Sequence, residues 1–120
     1  MRALLAIVVL TGCGSVPTEL HGTWSASGDL GGGHSWMKEY VVDADGFSMS
    51  GYPPISKKCD LELLSTEGSV HTFRATGCME SAPGPEVAID DHDIRIEVAG
   101  DAITWDGEEL HRQQQAGSAP

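Results

Sequence analysis

Four consecutive residues, Asp90-Asp91-His92-Asp93, set three carboxylates and an imidazole side by side, the densest group of hard ligands in the chain. Such a set suits Ca²⁺ or a loose Zn²⁺ site. The same residues also read as a solvated turn between Ile89 and Ile94, with Asp chosen for its turn chemistry. With no second ligand cluster in the sequence, no metal is assigned. Other chemistry fails motif by motif. Gly33-His34-Ser35-Trp36-Met37 opens as a nucleophile elbow would, yet Met37 stands where the second Gly is required. Gly31-Gly32-Gly33 lacks the Lys-Ser/Thr of a phosphate loop, and no His-Glu-x-x-His is present. Asp43-Ala44-Asp45-Gly46 matches part of a calcium loop, but its first ligand would be Val41 and its closing glutamate Tyr52. We read it as a hairpin turn. No catalytic residue and no cofactor is expected.

Seven basic residues stand against 18 acidic ones in 120, a formal charge of −11. A surface this acidic repels phosphate backbones, so nucleic acid is not expected as a partner. The length suits one domain with one modest core, and a chain 40% hydrophobic with three Trp is not compositionally disordered.

The elements that must position any site are strands. Helical periodicity is almost absent, and alternation recurs over roughly 20–27, 35–43, 47–52, 58–65, 70–77, 87–90, 93–99, 102–105 and 108–112. Four dipeptides signal two-residue hairpins: Asp45-Gly46, Gly68-Ser69, Gly100-Asp101 and Asp106-Gly107. The first places Val42 opposite Met49 and Tyr40 opposite Gly51. The third places Val98 opposite Ile103 and Ile96 opposite Trp105, and the fourth Ile103 opposite Leu110. Gly68-Ser69 places Leu64 opposite Phe73 and Cys59 opposite Cys78. Leu61, Leu63 and Cys59 then point to one face while Leu64, Phe73 and Ala75 point to the other. A bulge near Thr76-Gly77 would reconcile them, and which face is inward stays open. The fold expected is all-β: a small antiparallel up-and-down meander barrel of about eight strands, or a meander sandwich.

Met1-Arg2 followed by the apolar run Ala3 to Leu10 is too short to span a bilayer, reaching about 12 Å as a helix. Leu10-Thr11-Gly12-Cys13 resembles the lipobox of bacterial lipoproteins: an aliphatic residue, two small ones, then the Cys that is acylated. The resemblance implies a signal peptide over 1–12, a lipid (palmitate among its acyl chains) on Cys13, and membrane anchoring without a transmembrane helix. Gly14 after the Cys implies the outer membrane of the bacterial cell envelope. Losing Arg2 with the signal leaves six cations against 18 acids, a mature charge of −12. A tether over 13–18, a domain over 19–112 and a frayed tail over 113–120 complete the organisation. In an oxidising compartment Cys59 and Cys78 read as one disulfide, with free thiols or a metal pair as alternatives.

Gly22-Thr23-Trp24 on the first strand and Arg112 on the last resemble the calycin barrels, the lipocalins and their relatives. That resemblance implies that Arg112 packs over Trp24, with Gly22 permitting close approach. It also implies lipocalin-like binding of a small apolar ligand. An acidic protein-binding or inhibitor module for cationic partners is the rival reading, and a structural envelope lipoprotein a third. Any site is expected at a barrel mouth formed by the Gly28–Gly33 and Glu80–Glu86 loops. Trp36 and Tyr40 would line the interior behind it, and Glu80 and Glu86 would face a cation.

Overall fold

Apolar and polar residues alternate through nearly every segment between Gly22 and Arg112, and strands are the elements that sort such a pattern onto two faces. The computed structural model describes residues 14–113. A short 3-10 turn, Thr18–Leu20, precedes β1 (Gly22–Gly31), β2 (His34–Val42), β3 (Gly46–Tyr52), β4 (Ile55–Glu67), β5 (Val70–Ser81), β6 (Val87–Ile89), β7 (His92–Ala99), β8 (Ala102–Trp105) and β9 (Glu108–Arg112). Eight strands form a ring in the order β4-β3-β2-β1-β9-β8-β7-β5, and pairing of β4 with β5 closes it. β6 pairs with β5 outside the ring. The protein is therefore a small all-β barrel, and the sandwich alternative falls away.

Every neighbouring pair is antiparallel, so the connections alternate between two ends. Residues 43–46, 67–70 and 99–102 lie at the end where β1 starts. Residues 31–34, 52–55, 81–87 and 105–108 lie at the other.

The interior is filled by side chains from all eight ring strands. Trp24, Phe73, Ile96 and Leu110 are fully buried, and Ile94, Ile103, Cys59 and Cys78 nearly so. Tyr40 and Phe47 stack about Trp105 at 4.7 and 4.8 Å between ring centroids. Burying such side chains contributes about 1.5–3 kcal/mol each, before the ordering entropy that opposes it.

Two of the expected registers are observed: Val98 faces Ile103 and Ile96 faces Trp105, and Ile103 faces Leu110. Asp106 and Gly107 both carry positive φ, as a type I′ turn requires. The β2–β3 register is shifted by two residues from expectation, with Val42 facing Phe47 and Tyr40 facing Met49. The loop residues are Ala44 and Asp45, because the Asp43 carboxylate accepts from the Asp45 and Gly46 N–H groups and holds the turn one residue earlier. Gly46 is the first residue of β3. Its glycine serves close approach: a Cβ there would collide with the Cys59 carbonyl.

In β4–β5, two compensating bulges settle the facing conflict. One at Leu64 brings Leu63 opposite Phe73, and one at Gly77, with φ +61°, restores the offset for Met79 and Glu80. Leu61, Leu63, Phe73, Ala75 and both cysteines consequently all point inward. Cys59 and Cys78 form the disulfide, with Cα atoms 4.2 Å apart.

The segment expected as a free tether is docked. The Gly14 carbonyl accepts from Leu63 N–H, the Val16 N–H donates to the Ala44 carbonyl, and Val16 is 3% exposed. Apolar Val16 and Leu20 cover the barrel end as a strap, so the folded unit begins at least five residues before Glu19.

Candidate functional site

The two ends differ in what they leave open. At the strapped end, the Trp24 indole N–H donates to the Leu20 carbonyl. The Arg112 guanidinium lies over the Trp24 ring, 4.2 Å from its centroid, and donates to the Glu19 and His21 carbonyls. A Cβ on Gly22 would come within 2.8 Å of Arg112 Nη1, and Gly22 holds φ +127°. Gly22, Trp24 and Arg112 thus meet as their motifs implied. Buried His71, 4% exposed, joins the Glu19 carboxylate at 2.7 Å through Nε2 and the Thr66 hydroxyl through Nδ1. These contacts fasten the strap to β1, β5 and β9.

The other end carries the residues singled out for binding. The Gly28–Gly33 and Glu80–Glu86 segments do share it, but the first is no loop. Strand β1 runs through to Gly31, and Gly32 and Gly33, at φ +62° and +80°, make a two-residue turn into β2. The three consecutive glycines supply the positive φ values that a tight hairpin needs, where a loop was expected. Trp36 lies on the inner face of this hairpin, and its indole covers Gly28, where a Cβ would stand 2.5 Å from Trp36 Nε1. Tyr40 does not line open space. At 7% exposure it belongs to the aromatic layer with Phe47 and Trp105. Burial, with the carboxylates of Glu108 and Asp106 nearby, pushes its phenol up to about 12. Glu80, half-buried, faces Lys57 across β4–β5, and Glu86 is exposed in the connection to β6.

Between Trp36 and Tyr40 on the same strand face stands Lys38. Its ammonium reaches both carboxylate oxygens of Glu108, at 3.2 and 3.1 Å, and lies 5.9 Å from the Trp36 ring centroid. Alternation from Trp36 and Tyr40 already places Lys38 inward, so this pair was open to sequence reasoning that attended to the polar position. The four residues Asp90–Asp93 do not converge. His92 Nδ1 contacts the Asp90 carbonyl, and Asp93 accepts from Arg74 at 3.1 Å. Among the described residues, no group of three such ligands could hold a metal.

Large exposed apolar side chains gather at the same end. Leu30 is 54% exposed, Met37 46%, Tyr52 58% and Val87 57%. Met37 and Tyr52 are directly opposed on the outer wall. Asp29 near the end of β1, and Glu86 and Asp106 on the connections, stand exposed around them. Cys13 lies outside the described residues. Comparisons with protein-family models, curated proteins and solved structures find no match to the chain.

Proposed function

We propose that this protein is a non-catalytic lipoprotein of the bacterial envelope, anchored in the outer membrane through lipid on Cys13, that binds a cationic protein partner with the end of the barrel farthest from its anchor. One observation carries the reading. Among the described residues, four of the five large exposed apolar side chains lie at that end, beside the exposed carboxylates of Asp29, Glu86 and Asp106. An apolar centre with a charged rim is the anatomy of a protein interface, and a chain at −12 steers cations to it. The lipocalin-like alternative, a small apolar ligand inside a calycin-type barrel, needs interior room. Eighteen apolar side chains here leave no more than 7% of their surface exposed, so the interior favours the surface reading.

Salt separates the two. Binding of a cationic protein such as a basic lysozyme should weaken severalfold or more between 50 and 500 mM salt, whereas apolar ligand binding should barely change. Asp29→Asn with Glu86→Gln should weaken it further at low salt, with the melting temperature unchanged. Salt-independent uptake of a fatty acid by the wild type would reverse the choice. Separately, Cys13→Ala should abolish metabolic labelling by palmitate.

A further inference from the structure

We propose that the free edge of β1 is a strand-docking site, to which a cationic partner adds an extended segment as a further strand. The inference deepens the reading above, by naming the form in which the partner is recognised. The barrel is joined between β1 and β9 by only two residue pairs, Trp24↔Arg112 and Ser25↔His111, with a further bond from Gln113 N–H to the Thr23 carbonyl. β1 continues for six residues beyond Ser25, and β9 begins three residues before His111. Continued in register, Ser27 would face Glu109 and Gly28 would face Glu108, yet pairing stops. The pairing lapses toward the acidic, apolar end.

Backbone direction alternates along a strand. Ser25 bonds toward β9, so the N–H and C=O groups of Ser27 and Asp29 point the same way, while the even residues bond to β2. From the far side, the N–H and C=O of Glu109 point into the same gap, since its even neighbours bond to β8. An inserted strand therefore meets backbone partners on both sides. The outer side of β6 has three residues and one side only, and the β4 edge beyond Asp60 lies at the strapped end, where Gly14 already bonds Leu63. Natural sheets protect free edges with charged side chains, Pro or bulges. Ala26-Ser27-Gly28 carries none of these, and Asp29 with the bulge at Leu30 ends the run.

What covers the edge is indicated by charge. Asp29 and Glu109 flank the gap on its outer face, with Glu39 one strand away opposite Ser25. Beneath the gap, Lys38 is already held by Glu108 and Trp36 lies on Gly28. A segment alternating cationic and apolar residues would set its cations on the outer carboxylates and its apolar side chains against Trp36.

The probes are an octapeptide of alternating Lys and Val and two versions N-methylated at all Lys or at all Val residues, which keep charge and side chains but block one backbone edge each. We expect the parent peptide to slow amide exchange at Ser27, Asp29 and Glu109 about tenfold or more. At least one methylated version should bind about tenfold more weakly, the loss of one or two hydrogen bonds. Ser27→Pro should weaken the parent peptide similarly, and Ser27→Ala should not. Equal binding of all three peptides, or wild-type binding by Ser27→Pro, overturns strand docking while the acidic surface reading survives in the salt dependence. If no peptide binds at 50 mM salt, both readings fail.

Discussion

The two ends of this barrel are built from the same kinds of residue and put them to opposite use. Each has a Trp, a long cation and acidic neighbours. At the strapped end, Trp24 is fully buried, Arg112 lies over it, and the strap's own carbonyls take up the guanidinium's hydrogen bonds. At the open end, Trp36 covers only a glycine, Lys38 stands about one-third exposed beside Glu108, and the adjoining strand pairing lapses. Closure of a small barrel can thus be concentrated at one end. The difference lies in the rings, since Trp24 is fully buried and Trp36 only half-buried, while both cations reach solvent.

The largest contrast should come from the two tryptophans. Trp24→Ala removes a fully buried ring from under Arg112 and should cost about 3–5 kcal/mol, roughly 15 °C or more in melting temperature for a domain this small. Trp36→Ala should change it by only a few degrees. Comparable losses in thermal melts would break the distinction between the ends. Tyr40, in the layer between them, should give an intermediate effect that depends on pH. Its phenol ionises near 10 in the unfolded chain and near 12 in the folded one, so the folded state disfavours the phenolate. The stabilisation it gives is therefore complete below pH 10 and lost as pH rises from 10 to 12, by at most about 2–3 kcal/mol. Tyr40→Phe should flatten that alkaline loss in urea titrations, and an unchanged slope would show that the ring is solvated. The smallest effect is expected from the cations. Arg112→Ala should lower the melting temperature by several degrees, about 1–2 kcal/mol, and Arg95→Ala, at an exposed position of β7, by almost nothing. Equal shifts would mean that the Arg112–Trp24 contact does not hold the strap.

Turn chemistry explains which parts of this fold could be read from the chain. Asp106-Gly107 needs positive φ at both positions, and that requirement fixed the β8–β9 register correctly. Asp45-Gly46 looks the same in sequence, yet Gly46 is demanded by the passing Cys59 carbonyl, a contact 13 residues away that no local pattern reveals. The bulge at Gly77 was legible from its glycine. Its partner at Leu64 carries no such mark and follows only from the need to bury Leu63 and Phe73 together. At the candidate site, alternation placed Trp36 correctly but let Tyr40 pass as a lining residue. Exposure depends on how deep a position lies along the barrel, which strand period does not encode. The strap was missed because Val16 is a single apolar residue between Ser15 and Pro17, docked by the Ala44 carbonyl of a distant turn and, through Gly14, by Leu63 of β4.

Docking of the strap has a consequence for how far the protein can reach. With Gly14 already bonded to Leu63, a lipid on Cys13 would have about one residue of slack, some 3–4 Å, where a leash running free to Glu19 would allow about 20 Å. If Cys13 carries the proposed lipid, so short a leash would make the barrel a fixture that drifts in the plane of the bilayer and spins about its normal without tumbling. Encounters would then be a two-dimensional search at a nearly constant height, set by the length of the barrel rather than by the chain. Lengthening the leash by inserting a few residues after Cys13 would release that height without altering a single contact in the fold.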